Sequence, residues 1–167
     1  ILVGDGNDTV TGGGQSDTID GGLGDDLIRG GNGLDSMVGG EGNDRMLGGF
    51  GADLVEGGVG DDDLRGENGL DTLIGGTGND ALRGGNQSDV FVFADGFGQD
   101  TIVDFDEFDN NEKIDLSGVT AITDFADLIA NHASQVGSRV LIEDGTGDFI
   151  RLDNVLIGDL DIGDFLF

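Results

Sequence analysis

The 167-residue chain has no cysteine, proline, tryptophan or tyrosine, and it has only seven lysine and arginine residues. Without cysteine, no disulfide bond can hold the fold together. No apolar run approaches the roughly 20 residues that a membrane-spanning helix needs. The 35 acidic residues give a formal net charge of −28. Nucleic acids and anionic membrane surfaces are excluded as partners because they repel such a chain, which instead attracts cations.

The sequence also lacks the catalytic motifs HExxH, GxSxG, CxxC and GxxxxGK[ST]. Its only histidine, His132, falls on a predicted helix, where a single histidine is more often a surface or core residue than a base. No catalytic residue is predicted, and the chain is expected to be a non-catalytic module. It shows no N-terminal signal peptide and begins within a repeat, so we expect it to be part of a longer protein.

Glycine is abundant, and its distribution divides the chain. Of the 35 glycines, 27 lie at or before residue 92, whereas nine of the ten phenylalanines lie at or after residue 91. The first part has little bulky apolar content, and the second has the composition of a conventional folded segment. We predict two regions, a repeat domain over residues 1–103 and a C-terminal cap over residues 104–167.

An uninterrupted nine-residue repeat runs from residue 3 to residue 92. With its aspartate numbered as position 6, the consensus is GGxGxDxUx, where U is apolar, a pattern typical of calcium-binding β-helix repeats. Position 4 departs from glycine at Gln15 and Gln87, position 1 at Val3 and position 2 at Glu67. A flexible linker would need neither a fixed aspartate nor a fixed apolar residue. The ten aspartates are Asp8, Asp17, Asp26, Asp35, Asp44, Asp53, Asp62, Asp71, Asp80 and Asp89.

The repeat has the chemistry of a calcium site. Positions 7 to 9 alternate as a minimal strand with the apolar side chain inward, and positions 1 to 6 are predicted to form the turn. Glycine allows left-handed conformations that point several carbonyl groups at one spot. Ca²⁺ takes roughly six to eight oxygen ligands, which the position-6 carboxylates and the carbonyls of positions 1 to 4 supply if two turns share one ion. The predicted glycine ligands are Gly22, Gly24, Gly31, Gly33, Gly40, Gly42, Gly49, Gly51, Gly58, Gly60, Gly76 and Gly78.

The same spacing predicts that folding needs the metal. Stacked strands lie about 4.8 Å apart. At this distance two carboxylates repel by roughly 1 kcal/mol in water and by about 3 to 4 kcal/mol at an effective dielectric constant of about 20. Ten medium-sized apolar side chains are too thin a core to offset that repulsion and the ordering of a glycine-rich backbone. We expect the repeats to be largely disordered without Ca²⁺ and to fold on binding it.

The ten copies resemble the RTX (repeats-in-toxin) nonapeptide array of secreted bacterial haemolysins, serralysin-type proteases, lipases and alginate epimerases. The resemblance implies an all-β fold, a parallel β-roll in which two repeats form one 18-residue coil. It also implies that each Ca²⁺ lies between copies n and n+2. About eight sites follow, from the pair Asp8 and Asp26 to the pair Asp71 and Asp89. The consensus fails at the ends of the roll and near Glu67, where the ligand set departs from the pattern.

A further copy fits residues 95–103 after a two-residue insertion. In it, Asp95 replaces the first glycine and Asp100 takes position 6. Asp100 would then be a calcium ligand paired with Asp80. The alternative is an ordinary turn between two strands.

The residues after the repeats are predicted to cap the apolar end of the roll with β-strands. Val90–Phe93 is predicted to be a strand that leaves the roll, and Ile102–Phe105 and Lys113–Ser117 are predicted to follow it as strands. This segment resembles the one after the repeats in serralysin-type and other type I secreted proteins. The end of the chain, Gly163–Phe167, resembles the export signal of type I secretion substrates. The alternative for these last residues is a final core strand, and both can hold.

One helix and one hairpin are predicted in the C-terminal region. The helix covers residues 124–135 and begins at Asp124 as N-cap, because the apolar residues that follow have helical spacing. Residues 139–143 and 148–152 alternate between apolar and polar side chains around a glycine-containing turn. This pattern predicts a β-hairpin. The predicted cap is therefore small, mostly β and mixed, with one short helix.

Four arginines of the repeat region, Arg29, Arg45, Arg65 and Arg83, occupy alternate copies. In an 18-residue coil they share one sheet. They can be solvated residues that offset local negative charge. Alternatively, they form a basic strip that docks a polyanion such as an alginate-like polyuronate, because arginine pairs well with carboxylates.

Three functions therefore remain open. The first is a secreted, extracellular calcium-binding module that passes the type I secretion machinery unfolded and folds outside a bacterial cell, as part of a larger exported protein. The second is a carbohydrate-binding accessory module of an extracellular polysaccharide enzyme, such as an alginate epimerase or lyase. The third is part of an adhesin or surface-layer protein.

Overall fold

The computed structural model describes residues 1–106, 108–109 and 111–167. Within this part of the chain, the strands form two sheets, which lie on either side of a narrow core. Successive strands of the repeat region belong alternately to one sheet and the other. Each coil therefore contributes one strand to each sheet, and the result is the parallel β-roll that the sequence predicts.

The first sheet has eight strands among the described residues. In spatial order they are β1 (Leu2–Asp5), β3 (Thr18–Leu23), β5 (Ser36–Glu41), β7 (Leu54–Val59), β9 (Thr72–Thr77), β11 (Val90–Ala94), β13 (Lys113–Gly118) and β17 (Phe165–Leu166). The second sheet has nine strands in the same described ranges. In spatial order they are β14 (Ala133–Val136), β15 (Arg139–Glu143), β16 (Phe149–Asp153), β12 (Gln99–Ile102), β10 (Ala81–Asn86), β8 (Asp63–Asn68), β6 (Arg45–Phe50), β4 (Leu27–Asn32) and β2 (Thr9–Gly13).

Neighbouring repeat strands are parallel and 18 residues apart. Thr18 pairs with Ser36, and Ser36 pairs with Leu54. In the other sheet Leu27 pairs with Arg45 in the same way. This register confirms the 18-residue coil. Two nine-residue copies form one coil, so equivalent positions of alternate copies lie side by side.

The repeat strands are longer than the three-residue segments predicted for them. β5 covers positions 7 to 9 of one copy and positions 1 to 3 of the next. The prediction that positions 1 to 6 form the turn is therefore wrong for the first three. The glycine backbone at those positions joins the parallel ladder, where Gly22 pairs with Gly40 and Gly40 with Gly58. Only positions 4 to 6 are left to turn the chain from one sheet to the other.

Each regular repeat strand buries its position-8 side chain and the glycine that follows two residues later. All ten position-8 residues are buried, and Leu64, Leu73 and Leu82 are completely so. The glycine has no Cβ, which leaves room for a carboxylate. A Cβ at Gly48 would lie only 2.7 Å from Oδ2 of Asp53. The core is therefore one row of apolar side chains beside one row of glycines.

The C-terminal region continues both sheets. β11 pairs in parallel with β9 and β13, so the prediction that Val90–Phe93 leaves the roll is wrong. Its Phe91 is fully buried in the position-8 row. β13 confirms the predicted strand over Lys113–Ser117. The strand predicted over Ile102–Phe105 ends instead at its first residue, because Phe105 turns inward and packs edge-on against Phe91, with 6.4 Å between ring centroids.

The predicted helix is only partly present. Its N-cap is confirmed, because Oδ1 of Asp124 accepts a hydrogen bond of 2.9 Å from the N–H of Asp127. α1 covers Phe125–Asp127, and a π-helical turn follows over Leu128–His132. The helix ends before Gln135, because the residues from Ala133 onward pair with β15 as strand β14. The predicted hairpin is confirmed by the antiparallel pairing of β15 with β16. No helix among the described residues is long and apolar enough to cross a membrane.

Candidate metal centre

The position-6 aspartates form two ladders, one along each edge of the roll, where the turns stack. In each ladder the backbone N–H of one aspartate donates to Oδ1 of the aspartate one coil later, at distances of 2.7 to 2.9 Å. Asp44 donates to Asp62 in this way, and Asp62 donates to Asp80. From Asp26 onward, the ladder gives one oxygen of each carboxylate a partner and holds the side chain in one orientation.

The second carboxylate oxygen, Oδ2, is buried without a hydrogen-bond partner in nine successive copies within the described ranges. These residues are Asp26, Asp35, Asp44, Asp53, Asp62, Asp71, Asp80, Asp89 and Asp100. Leaving a polar atom buried and unpaired costs roughly 1 to 3 kcal/mol, and more when it is charged. A continuous row of such oxygens is therefore costly while it is ionised and unpaired, and a cation along each edge would remove that cost.

Backbone carbonyl groups surround the same space. A Cβ at Gly12 would lie 2.6 Å from Oδ2 of Asp17 and 2.7 Å from the carbonyl oxygen of Gly30, one coil later. The Oδ2 atom of one coil thus faces a carbonyl oxygen of the next. Carboxylate and carbonyl oxygens are the ligands that Ca²⁺ takes, whereas softer metals prefer nitrogen and sulfur.

The glycines predicted to supply carbonyl ligands, at positions 2 and 4, all have left-handed φ angles, between 103° and 148°. A Cβ at Gly24 would also lie 2.7 Å from the carbonyl oxygen of Gly6. Conformation and space therefore both demand glycine here. Glu67 and Gln87 stand at such positions and adopt φ angles of 75° and 78°, so the backbone keeps the left-handed conformation there and carries strain.

Burial opposes ionisation of the ladder. It raises the pKa of Asp62 to about 7 and that of Asp100 to about 8, although a backbone N–H that donates to each carboxylate partly offsets the shift. The charges of Asp44 and Asp80, one coil before and one coil after, contribute to the raised pKa of Asp62. Without a cation, the fold therefore disfavours the ionised ladder that calcium binding needs.

The oxygen ligands available to a calcium ion come more from backbone carbonyl groups than from clustered side chains. Among the described residues, no three histidine, cysteine, aspartate or glutamate side chains are placed to hold one metal ion. Two carboxylates from adjacent coils and several carbonyl oxygens are available instead. Such a mixed oxygen shell suits a hard cation with a flexible, high coordination number, which describes Ca²⁺ better than Mg²⁺.

The structure places Asp100 in the ladder, as the sequence predicts. Its Oδ1 accepts a hydrogen bond of 2.8 Å from the N–H of Asp80, although 20 residues separate the two instead of 18. At the other end of the roll, Asp8 and Asp17 are half-buried and belong to the same ladders. The eleven predicted aspartates therefore all lie in the two ladders, with Asp8 and Asp17 as the first members, which take part through their backbone N–H groups.

A second ladder was not predicted. On one edge the position-5 side chains also bond from coil to coil, so the N–H of Asp25 donates to Asn7, that of Asn43 to Asp25, that of Asp61 to Asn43 and that of Asn79 to Asp61, at 2.8 to 3.0 Å. The sequence signal is asparagine or aspartate at position 5 of every odd copy. The even copies carry Ser16, Leu34, Ala52, Leu70 and Ser88 there instead.

The arginines lie together on the outer face of the nine-stranded sheet. Those predicted to share a sheet are in β4, β6, β8 and β10, and the remaining two, Arg139 and Arg151, are in β15 and β16 of the same sheet. Arg45 and Arg65 both contact Asp63, at 3.4 and 2.8 Å. All six arginines of this acidic chain are thus on one face.

Comparisons with known proteins agree with this geometry. The family model of the RTX calcium-binding nonapeptide repeat (4 copies) matches residues 2–37, 21–55, 29–64, 38–73, 56–91 and 65–102. A search of curated proteins finds no match. The extracellular lipase LipA from Serratia marcescens is similar in structure over 98% of this chain and 38% of its own, with 20% identity and a TM-score of 0.52. That likeness shows the fold alone, and this chain spans well under half of the lipase.

A second solved structure is the AlgE6R3 subunit of the mannuronan C5-epimerase from Azotobacter vinelandii. It aligns with 92% of this chain and 79% of its own, with 25% identity and a TM-score of 0.48.

Proposed function

Because the chain belongs to the family of RTX calcium-binding nonapeptide repeats, we propose that it is a module that folds when Ca²⁺ loads the turns between successive coils. The row of nine buried Oδ2 atoms without a partner carries the proposal. The ladders from Asp8 to Asp89 supply eight sites, and Asp80 with Asp100 supplies one more. The backbone carbonyls of positions 1 to 4 complete each shell.

In this proposal, calcium binding and folding occur together because both depend on the ladder. Each carboxylate is brought within reach of the next coil only when the parallel strands have formed, so the unfolded chain has no equivalent site. The folded chain, in turn, places buried like charges one strand apart. A bound Ca²⁺ supplies the positive charge that turns this repulsion into attraction. Folding then follows the free calcium concentration by mass action.

Circular dichroism of the whole chain tests this proposal. We expect a β-sheet spectrum in millimolar CaCl₂ and a largely disordered spectrum after addition of a chelator, with recovery when calcium is restored. MgCl₂ at the same concentration is the matched control, because Mg²⁺ demands a smaller octahedral shell and gives up water reluctantly. Identical spectra with calcium and with chelator would refute calcium-dependent folding.

The proposal extends to export. A chain that stays unfolded where calcium is scarce can be threaded through the type I secretion machinery and folds in a calcium-rich extracellular medium. Phe165 packs into the core as part of β17 in the folded state, so the segment Gly163–Phe167 serves recognition before folding and packing afterwards. Co-expression with a type I exporter should carry the chain into the medium. Removal of Gly163–Phe167 should abolish export, and unchanged export would refute the signal.

A second function, docking of an anionic polysaccharide, is favoured by the arginine face. Its outward positions carry six arginines and four acidic residues, Asp63, Glu67, Glu143 and Asp153, in a chain whose net charge is −28. Guanidinium groups pair with carboxylates through two parallel hydrogen bonds. A polyuronate lying along this sheet would meet several of them in succession, as an accessory module of a polysaccharide enzyme requires.

Binding of polyuronate to the calcium-loaded chain would test this second function. Replacing Arg29, Arg45, Arg65 and Arg83 with serine should abolish binding, whereas the four corresponding lysine substitutions keep the charge and should weaken it only partly. A neutral glucan should not bind either form. Unchanged affinity of the serine variant would reject the arginine face and leave calcium-dependent folding untouched.

A further inference from the structure

Both outer faces of the roll carry a row of charges, and the two rows have opposite sign. In the eight-stranded sheet, β1, β3, β5 and β7 each contain one acidic residue, and all four of these side chains are exposed. They are Asp5, Asp20, Glu41 and Glu56. In the nine-stranded sheet, β4, β6, β8 and β10 each contain one arginine. One roll thus presents an acidic row on one side and a basic row on the other.

The acidic side chains at position 3 lie on the outer face together with those at position 9. Position 9 faces outward because position 8, beside it, is buried. Phe50, at position 3, lines a shallow groove with Leu47 at position 9, and Thr77 lines another with Ile74 in the same way. Glu41 stands in the row of Thr77, two coils earlier. It therefore belongs to the outer face of the eight-stranded sheet.

The carboxylates of this acidic face are free to meet a partner. Within the described ranges, no ion pair involves any of the four acidic residues. On the opposite face, the carboxylate of Asp63 is shared by Arg45 and Arg65, and Arg29 forms no ion pair with a described residue. Each face therefore has charge that the roll itself does not neutralise.

Exposed apolar side chains accompany the charges on both faces. Leu23 and Val59 are 45% and 55% exposed, and they are the two neighbours of Glu41 in its row. Phe50 is 62% exposed and lines the same groove as Arg29. Exposed apolar surface with charged groups around it is typical of a contact between proteins.

The two rows also have the same spacing, because each contains one charge per strand and neighbouring strands lie about 4.8 Å apart. The opposite faces of two rolls can therefore lie against each other with each arginine near a carboxylate. Four strands of about six residues span roughly 20 by 20 Å. Such a contact buries about 800 Å² over both copies, an area that corresponds to weak association.

We propose that calcium-loaded rolls stack face to face, with the acidic face of one copy on the arginine face of the next. The two faces lie on opposite sides of the roll, so each added copy leaves one face of each kind free and the assembly grows linearly. This inference rests on the calcium loading proposed above, since nine ions would reduce the formal net charge from −28 to about −10 and so weaken the repulsion between copies. A polyuronate on the arginine face would compete with the second copy.

Sedimentation equilibrium of the whole chain in CaCl₂ tests the stacking. The average mass of the natural chain should rise with protein concentration and return to that of the monomer at high salt, which screens the charges. Glu41→Gln combined with Glu56→Gln should abolish association, although it lowers the net negative charge. Asp25→Asn combined with Asp61→Asn is the matched control, because it removes the same charge from exposed residues at the edge and should leave association unchanged.

A variant of the opposite face completes the test. Arg29→Gln combined with Arg45→Gln should also be monomeric. An equal mixture of this variant with the Glu41→Gln, Glu56→Gln variant contains one intact acidic face and one intact arginine face. The mixture should therefore form a dimer with one copy of each variant and nothing larger. A general loss of stability in either variant does not produce that result.

Three results would overturn the stacking. The first is a natural chain that is folded in calcium but monomeric at every concentration. The second is unchanged association of either glutamine variant, since other surfaces would then hold the copies together. The third is a chain that stays disordered in calcium, which would overturn calcium loading as well. Circular dichroism of the same samples distinguishes this last failure from the other two.

Discussion

The backbone N–H of Asp44 donates to Oδ1 of Asp62, 2.7 Å away and one coil later. The same carboxylate keeps its Oδ2 buried and unpaired. With one oxygen, the Asp62 side chain thus accepts a hydrogen bond from the backbone of the preceding coil. Its other oxygen is available to a cation. Because Asp62 in turn donates to Asp80, each link depends on the next, and metal binding should spread along the edge cooperatively.

Neighbouring acidic residues at the edge should respond differently to the loss of one charge. Asp62→Asn keeps an oxygen for the N–H of Asp44 but removes a buried ligand, so the calcium concentration needed for folding should rise severalfold and the ion count should fall. Asp61→Asn makes the same change on the exposed side chain beside it and should leave both nearly unchanged. Calcium titration followed by circular dichroism compares the two. Equal midpoints would contradict the assignment of position 6 as the ligand.

Glu67 should be a site of strain that glycine relieves. It has a φ of 75° and pairs in register with Gly49 and Gly85 on either side. A left-handed conformation costs a residue with a side chain roughly 1 to 2 kcal/mol, so Glu67→Gly should stabilise the calcium-loaded chain by about 1 kcal/mol after the entropy of glycine is counted. Urea unfolding in saturating calcium measures the change.

The reverse substitution provides the control for strain. Gly49→Ala introduces a Cβ at a φ of 114°, against the carbonyl oxygen of Gly31. It should destabilise the chain by more than Glu67→Gly stabilises it, since the backbone would have to move as well. A destabilised Glu67→Gly variant would show that the glutamate side chain contributes more than its conformation costs.

Acid should partly replace calcium. Burial raises the pKa of Asp62 and Asp89 from the ordinary 3.8 to about 7 and that of Asp100 to about 8. A raised pKa means that the metal-free fold binds protons more tightly than the unfolded chain. Its stability is therefore greatest below pH 3.8 and falls as the pH rises through these values toward 8.

The measurement is circular dichroism in chelator at two pH values. The β-sheet signal at pH 5 should exceed that at pH 8, because protonated carboxyl groups no longer repel one another. In saturating calcium the signal should not rise on acidification, since the ladder is then held ionised by the metal. A metal-free signal that is equal or weaker at pH 5 would contradict the assignment of charge repulsion as the main obstacle to folding.

The thin core should make each position-8 residue important. Leu64 is completely buried, and truncation of a buried leucine to alanine costs about 2 to 5 kcal/mol. Leu70→Ala removes the same atoms from a side chain that is 59% exposed and should change stability by less than about 0.5 kcal/mol. Urea unfolding in saturating calcium distinguishes the two, and similar losses would mean that the position-8 row does not form the core.

The nine-residue period identifies the repeat region and its fixed aspartate and apolar positions. The resemblance to the RTX array adds the two sheets and the 18-residue coil, and a row of carboxylates on each edge follows, because every position of one copy meets the same position one coil later. The placement of Asp44 beside Asp62, and of the repeat arginines on one sheet, follows from counting. Even Asp100 could be predicted, since its insertion is only two residues long.

Only the tertiary structure decided the conformation of the segments outside the nine-residue period and of the repeat positions that carry no side chain. The sequence predicts a turn at positions 1 and 2, whereas the structure has strand there. The glycines at these positions join the sheets because they have no side chain that obstructs the pairing of strands. Residues from Ala133 onward leave the helix because β15 offers them a partner. Lys113 pairs with Val90, 23 residues away in the sequence, a relation set by pairing across space that no fixed spacing along the chain encodes.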